Sequence, residues 1–213
     1  MIAEMSSDGK KKKKRKLQAS DELESLSVNA MRTVQPLLSC LEYALRADSQ
    51  DGGRWVRADD GQRYRSLLTP IGKLLRAKIP DNFPVDGSLE ISPYEYLILG
   101  SSDDDAGAGC VVDTLTALAG AAGNEQLWKP LNYAILDACG HVGGRTEVRK
   151  AALECLLSVI RGLGEEYMVL LPECLPVLAE LLEDNDEEVA GLAQDCISLG
   201  EELLGESLEE SLR

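Results

Sequence analysis

The sequence predicts an all-α fold, built as a solenoid of repeated helix pairs and preceded by a disordered basic amino terminus. Three observations lead there. Aromatic residues are only 4% of the 213-residue chain, while Leu and Ala abound, a composition that suits helices better than strands. Apolar residues recur at intervals of three and four, which stacks them on one helical face. The pattern over the second half repeats after a fixed interval, as expected where each unit leaves an apolar face for the next one to cover.

The amino-terminal residues 1–20 contain an unbroken basic run, Lys10, Lys11, Lys12, Lys13, Lys14, Arg15 and Lys16. Neighbouring cations repel one another and lose hydration on burial, so this tail is expected to be disordered and available for nuclear targeting or RNA contact. No apolar stretch follows the lysines as in a secretory signal. No run approaches the roughly 20 apolar residues of a membrane span.

Residues 21–78 form the next unit. Leu23, Leu26, Ala30, Val34, Leu37, Leu41 and Leu45 are placed on one face of a helix over Asp21 to Arg46, with Ser20 and Asp21 as its cap. Asp48 to Gly61 holds three glycines and four aspartates and reads as a loop. Gln62 to Ala77 resumes helical spacing, and Pro70 is expected to bend or divide it. Residues 79–109, with three prolines and the run SSDDDAGAG, read as an acidic Gly/Pro-rich linker.

Residues 110–213 are regular. Helical patterns cover Cys110 to Ala122, Gln126 to Ala138, Thr146 to Leu163, Glu165 to Glu183 (interrupted by proline) and Glu187 to Leu204. A shift of 41 positions aligns Glu147-Val148 with Glu188-Val189, Ala152 with Ala193, Cys155 with Cys196, and Gly123 with Gly164 and Gly205. The glycines fall just past helix ends, where a left-handed residue caps free carbonyls. A 41-residue helix-pair period lies in the HEAT/armadillo range of roughly 40 to 47. Val148, Ala152, Cys155, Leu156 and Val159, and one repeat later Val189, Ala193, Cys196 and Leu199, are the expected core face.

The segments LWKPLNYAIL (Leu127 to Leu136), EEYMVLLPECLPVLAELLEDNDEEV (Glu165 to Val189) and LGESL (Leu204 to Leu208) resemble the carboxyl-terminal HEAT-repeat region of one family. That family is the nucleolar small nucleolar RNA-associated protein ten family (HEAT repeat-containing protein one) of the small-subunit processome. The resemblance implies a non-enzymatic scaffold module in the nucleus and nucleolus. It implies roles in pre-rRNA processing, small-subunit ribosome biogenesis and rRNA transcription, with processome proteins and the pre-ribosomal RNP as partners, RNA being touched at most through the basic run.

Catalytic chemistry has no foothold in the sequence. Cys139 and His141 are too close in sequence to converge as a nucleophile and base held by a third group. The widely spaced cysteines lack Cys-x-x-Cys pairs. Gly140 to Arg145 lacks the lysine ending of a phosphate-binding loop. No cofactor, metal or small-molecule substrate is expected. The net charge of −15 is concentrated at the carboxyl end, where Gly164 to Arg213 carries fifteen acids and one base. Glu187, Glu188, Glu201 and Glu202 are therefore candidate protein contacts, on what resembles an acidic end cap. Trp128, beside Pro130, reads either as an exposed partner anchor or as a groove filler between helices. Two competing readings of function are a nucleic-acid-binding protein acting through Lys10 to Lys16, and an acidic adaptor for basic cargo proteins.

Overall fold

In a computed structural model of the chain, the described residues are 28–77, 79, 92–100, 110–140 and 145–208. Among them are eight α-helices and no strand: α1 (Val28–Gln50), α2 (Gln62–Leu74), α3 (Pro93–Ile98), α4 (Val111–Ala122), α5 (Glu125–Cys139), α6 (Thr146–Leu163), α7 (Leu171–Leu181) and α8 (Glu187–Leu204). Helices α1, α4, α6 and α8 form one row, each packed on the next. Helices α2, α5 and α7 line a second row against it. This is the all-α helical repeat that the periodicity predicts. The basic run Lys10 to Lys16 and the cap at Ser20 and Asp21 lie outside the described residues.

The 41-residue period is visible in the backbone. Gly123, Gly164 and Gly205 follow α4, α6 and α8 with φ of +58°, +57° and +73°, values that a side chain would strain. Helix starts are set by short acceptors. Cys110 Sγ accepts from the Asp113 amide at 3.3 Å, and Asn124 Oδ1 from the Leu127 amide at 3.1 Å.

The central helix is α6. Val148, Ala152, Cys155, Leu156 and Val159 are buried, and so are Ala151, Leu153, Leu157 and Ile160. Helices α4, α5 and α8 surround it, so nearly its whole circumference is core. In α8, Val189, Ala193 and Cys196 are buried as expected, and Leu199 is half-buried.

Three expectations change. Leu37 does not face inward: it is 62% exposed, whereas its neighbour Leu38 and Leu45 are buried, with Val34 and Leu41 half-buried. Helix α1 is apolar on two sides, so spacing alone selects no inner stripe. Contact with α4 decides it. Second, Pro70 does not divide α2, which runs unbroken from Gln62 to Leu74. Pro70 is solvent-exposed there, as is Ser66 one turn before it, so the carbonyl that the missing proline N–H leaves without a helix partner is open to water and the ring faces solvent rather than the core. Third, the stretch 79–109 contains a core element. Ser92 and Glu95 form a reciprocal capping box, with Pro93 in the first turn, and start α3. Tyr94, Leu97 and Ile98 are buried. One hydrophobic cluster runs from Leu38 to Leu208, so the helices on either side of 79–109 share a core.

The loop from Asp51 to Gly61 is held rigidly. Asp48 accepts from the amides of Trp55 and Val56 at 2.8 and 3.0 Å, and Val56 is fully buried. Arg57 reaches the carboxyl end of α4, where its Nε donates to Ala121 O at 3.4 Å. Gly53 lies so close that a Cβ there would fall 2.0 Å from the same carbonyl. Asp59 and Asp60 both take positive φ, 56° and 52°, a local strain that the surrounding contacts sustain.

Candidate protein interface

The acidic end is built on α8. Its inward side, Val189, Ala193, Cys196, Ile197 and Gly200, is buried against α6 and α7. Period 3.6 then turns Glu187, Asp195 and Glu202 outward, all exposed. Asp186 starts the helix: its Oδ1 accepts from the amides of Glu188 and Val189 at 3.1 and 3.2 Å. A carboxylate there also complements the positive end of the helix dipole.

Two cations of α6 tie this end to the preceding repeat. Arg149 Nη2 donates to Asp184 Oδ1 at 3.1 Å, and its Nε lies 2.9 Å from Oδ2. Both side chains are largely screened from water, which preserves the attraction better than at an open surface. Lys150 lies 3.3 Å from Asp186 Oδ1 and also pairs with Glu188. Desolvation works against ionisation at Asp186. The Val189 amide and the Lys150 ammonium outweigh it and hold the carboxyl below its ordinary range.

A depressed carboxyl pKa contributes stability that is present above the unfolded-state value and is lost as pH falls through the folded one. Asp186→Asn keeps an acceptor at the cap but has no charge to titrate. The variant is expected to be less stable than the wild type at neutral pH. The gap should begin to close as pH falls below the unfolded-state value of about 3.9 and be lost as pH passes the lower folded value. Urea midpoints measured across an acid pH series check this; a gap that stays constant with pH would refute the assignment.

The four candidate glutamates therefore divide. Glu188 is paired with Lys150, and Glu201 Oε1 accepts from the Leu208 amide at 2.8 Å and Ser207 Oγ at 3.1 Å. These contacts fold residues 205–208 back so that Leu208 is buried beside Gly200. Glu187 and Glu202 remain outward. The partner-anchor reading of Trp128 is corrected. Its ring is 6% exposed and its Nε1 donates to Ala119 O at 2.9 Å, so it fills the groove between α4 and α5.

Sequence reasoning missed the inter-repeat cations, whose partners lie about one repeat away. Their signal is a base pair on one helix, Arg149-Lys150, followed 35 or 36 positions later by Asp184 and Asp186 in the next turn. It also missed Arg145, whose Nη2 donates to Arg76 O and Ala77 O at 2.9 Å each, with the guanidinium 5.4 Å from the Tyr94 ring centre. Inside the core, Tyr167 donates to Asn132 Oδ1 at 2.6 Å and meets Cys174 Sγ at 2.9 Å.

Catalytic chemistry gains no support from the buried thiols. Burial pushes Cys110 and Cys196 up to about 12 and Cys139 well above its ordinary value, away from the reactive thiolate. His141 lies outside the described residues. Among the described residues no group of three or more His, Cys, Asp or Glu is placed to hold a metal ion, and no helix is long and apolar enough to cross a membrane.

No family model matches the chain. It is 35% identical over 211 residues to an uncharacterized protein of Arabidopsis thaliana, covering 99% of this chain and 9% of that protein. It is 43% identical over 100 residues to HEAT repeat-containing protein 1 of Homo sapiens, covering 47% of this chain and 4% of the human protein. It is 36% identical over 200 residues to U3 small nucleolar RNA-associated protein 10 of Neosartorya fischeri, covering 84% of this chain and 11% of that protein. The chain thus spans only a small part of the length of each of these relatives.

Proposed function

Because the chain corresponds to the carboxyl-terminal region of the HEAT repeat-containing protein 1 and U3 small nucleolar RNA-associated protein 10 family, we propose that it is a non-enzymatic scaffold module of the nucleolar small-subunit processome. In this reading it supports pre-rRNA processing and small-subunit ribosome biogenesis, together with rRNA transcription. The observation that carries the reading is its likeness, over most of the chain, to proteins named for association with U3 small nucleolar RNA.

The division of charge adds support. Residues 108–213 hold twenty acids and six bases, so phosphate approach to the repeats is opposed and little counterion release is gained. The repeats therefore meet proteins, through surfaces that include Glu187 and Glu202. Lys10 to Lys16 carries nuclear and nucleolar targeting and whatever RNA contact the chain makes.

The test uses the chain without residues 1–20, fused to an independent nuclear import signal and purified from nuclear extract. Processome proteins are expected to co-purify, with the chain concentrated in nucleoli. Tight, salt-sensitive rRNA binding by this truncation would replace the proposal with direct nucleic-acid binding. Recovery of basic cargo proteins alone would replace it with an adaptor.

A further inference from the structure

The turn that follows α8 is held by one residue. The Glu201 carbonyl accepts from the Gly205 amide at 2.8 Å, and its Oε1 accepts from the Leu208 amide at 2.8 Å and from Ser207 Oγ at 3.1 Å. This grip seats Leu208, which is buried, against α8. Gly200 makes the seat. A Cβ there would meet Leu171 of α7 at 3.3 Å and Leu208 at 3.5 Å, so the bare glycine lets both leucines close on one spot of the helix. Ser207 itself is exposed, and the hydroxyl that completes the grip stands at the surface.

The contact between Ser207 and Glu201 depends on a hydroxyl that donates to a carboxylate. A carboxylate only accepts, and a phosphate monoester, with a charge of about −1.5 to −2 at pH 7, also accepts and repels the carboxylate beside it. Residues 201–213 carry five acids and one base, so an added phosphate meets repulsion from its own surroundings. The same acids mark the serine for an enzyme. Glu209 and Glu210 follow Ser207 at the second and third positions, an arrangement that a kinase with a basic substrate groove selects by charge complementarity. Ser198 has the same spacing to Glu201, but it lies inside α8, where the extended conformation that a kinase cleft requires is closed to it.

We propose that Ser207 is a phosphorylation site for an acid-directed protein kinase, and that its phosphate releases residues 205–208 from Glu201 and lifts Leu208 off α8. In the transfer, Ser207 Oγ forms a bond to the γ-phosphorus of a nucleoside triphosphate held by the kinase. The bond from that phosphorus to the β–γ bridging oxygen breaks, the nucleoside diphosphate leaves with the electron pair, and the hydroxyl proton passes to a base of the kinase. The product has lost its donor to Glu201 and set a second anion against it. Gly200 and the Leu171 side chain beside it then lose their cover, so the modification switches the surface at the acidic end of the row. The inference rests on the local structure, not on the ribosome-assembly role, and the two can fail separately.

The experiment incubates the full chain, carrying Ser101→Ala and Ser102→Ala, with ATP and the catalytic subunit of an acid-directed kinase. Those two serines are removed because Asp103, Asp104 and Asp105 follow them and offer the same recognition pattern. Peptide mass spectrometry locates the phosphate, and amide exchange is read at Leu208 before and after the reaction. The expected result is phosphate on Ser207 and exchange at Leu208 faster by roughly tenfold or more, with α4 and α6 unchanged. Glu201→Gln separates charge from bulk: its side-chain carbonyl still accepts from Leu208, and its amide bears no charge and can donate to the phosphate. In that variant phosphorylation should leave exchange at Leu208 unchanged. Failure of the kinase to modify Ser207, unaltered exchange at Leu208 after modification, or equal acceleration in Glu201→Gln overturns the proposal. So does acceleration spread evenly over all helices, which would assign the effect to global stability.

Discussion

Leu156→Ala is expected to lower stability by about 2 to 5 kcal/mol, the range found when a large core side chain is truncated and the cavity only partly collapses. Leu156 is fully buried on α6, the helix surrounded by α4, α5 and α8, so no solvent-facing side chain can swing in to fill the space. Glu154→Ala, on the same helix but half-buried, should stay within roughly 0.5 kcal/mol. Urea denaturation of both variants measures the difference. An unchanged midpoint for Leu156→Ala beside a lowered one for Glu154→Ala would mean that the helical phase of α6 is wrong.

Arg145→Leu should cost about 1.5 to 3 kcal/mol, the magnitude of hydrogen bonds made by a charged group. The guanidinium caps two carbonyls at the end of α2 and covers the Tyr94 ring. Tyr94 in turn donates to Leu75 O at 2.5 Å. One side chain thus joins the end of α2, the short helix α3 and the start of α6. Its loss leaves acceptors unpaired and loosens α3, which has only six residues and little internal stability. Amide exchange is expected to rise at α3 and the end of α2 while α8 keeps its protection. Equal acceleration throughout would show that Arg145 acts on global stability alone.

The periodic elements were legible because their cause is local. Intervals of three and four located α4, α5, α6 and α8 to within a residue or two, and the 41-residue shift identified Gly123, Gly164 and Gly205, all now seen with positive φ. The acidity of the carboxyl end was legible from the charge count, but which acids of α8 face outward was not: Asp195 joins Glu187 and Glu202, while Glu188 and Glu201 are paired. The capping box at Ser92 and Glu95 carried a readable signal too. The surrounding prolines and glycines masked it, since composition over thirty residues outweighs one turn of helix.

What the sequence determined by itself about this protein is the class of the fold, the repeat length, the location of the helices of residues 110–204 and the polarity of its charge, because each follows from spacing and composition along one chain. Tertiary structure alone decided which stripe of α1 is inside, that Trp128 is a groove filler, and that Glu188 and Glu201 are taken up by Lys150 and by Ser207 and Leu208. It also brought α3 into the core and seated Arg145 and Arg57 on the ends of other helices. Those outcomes depend on which surface arrives opposite, and a helix with apolar residues on two sides or a long cation with several carbonyls in reach has no local preference among them. The choice is made by the neighbour that excludes water from one option and leaves the other wet.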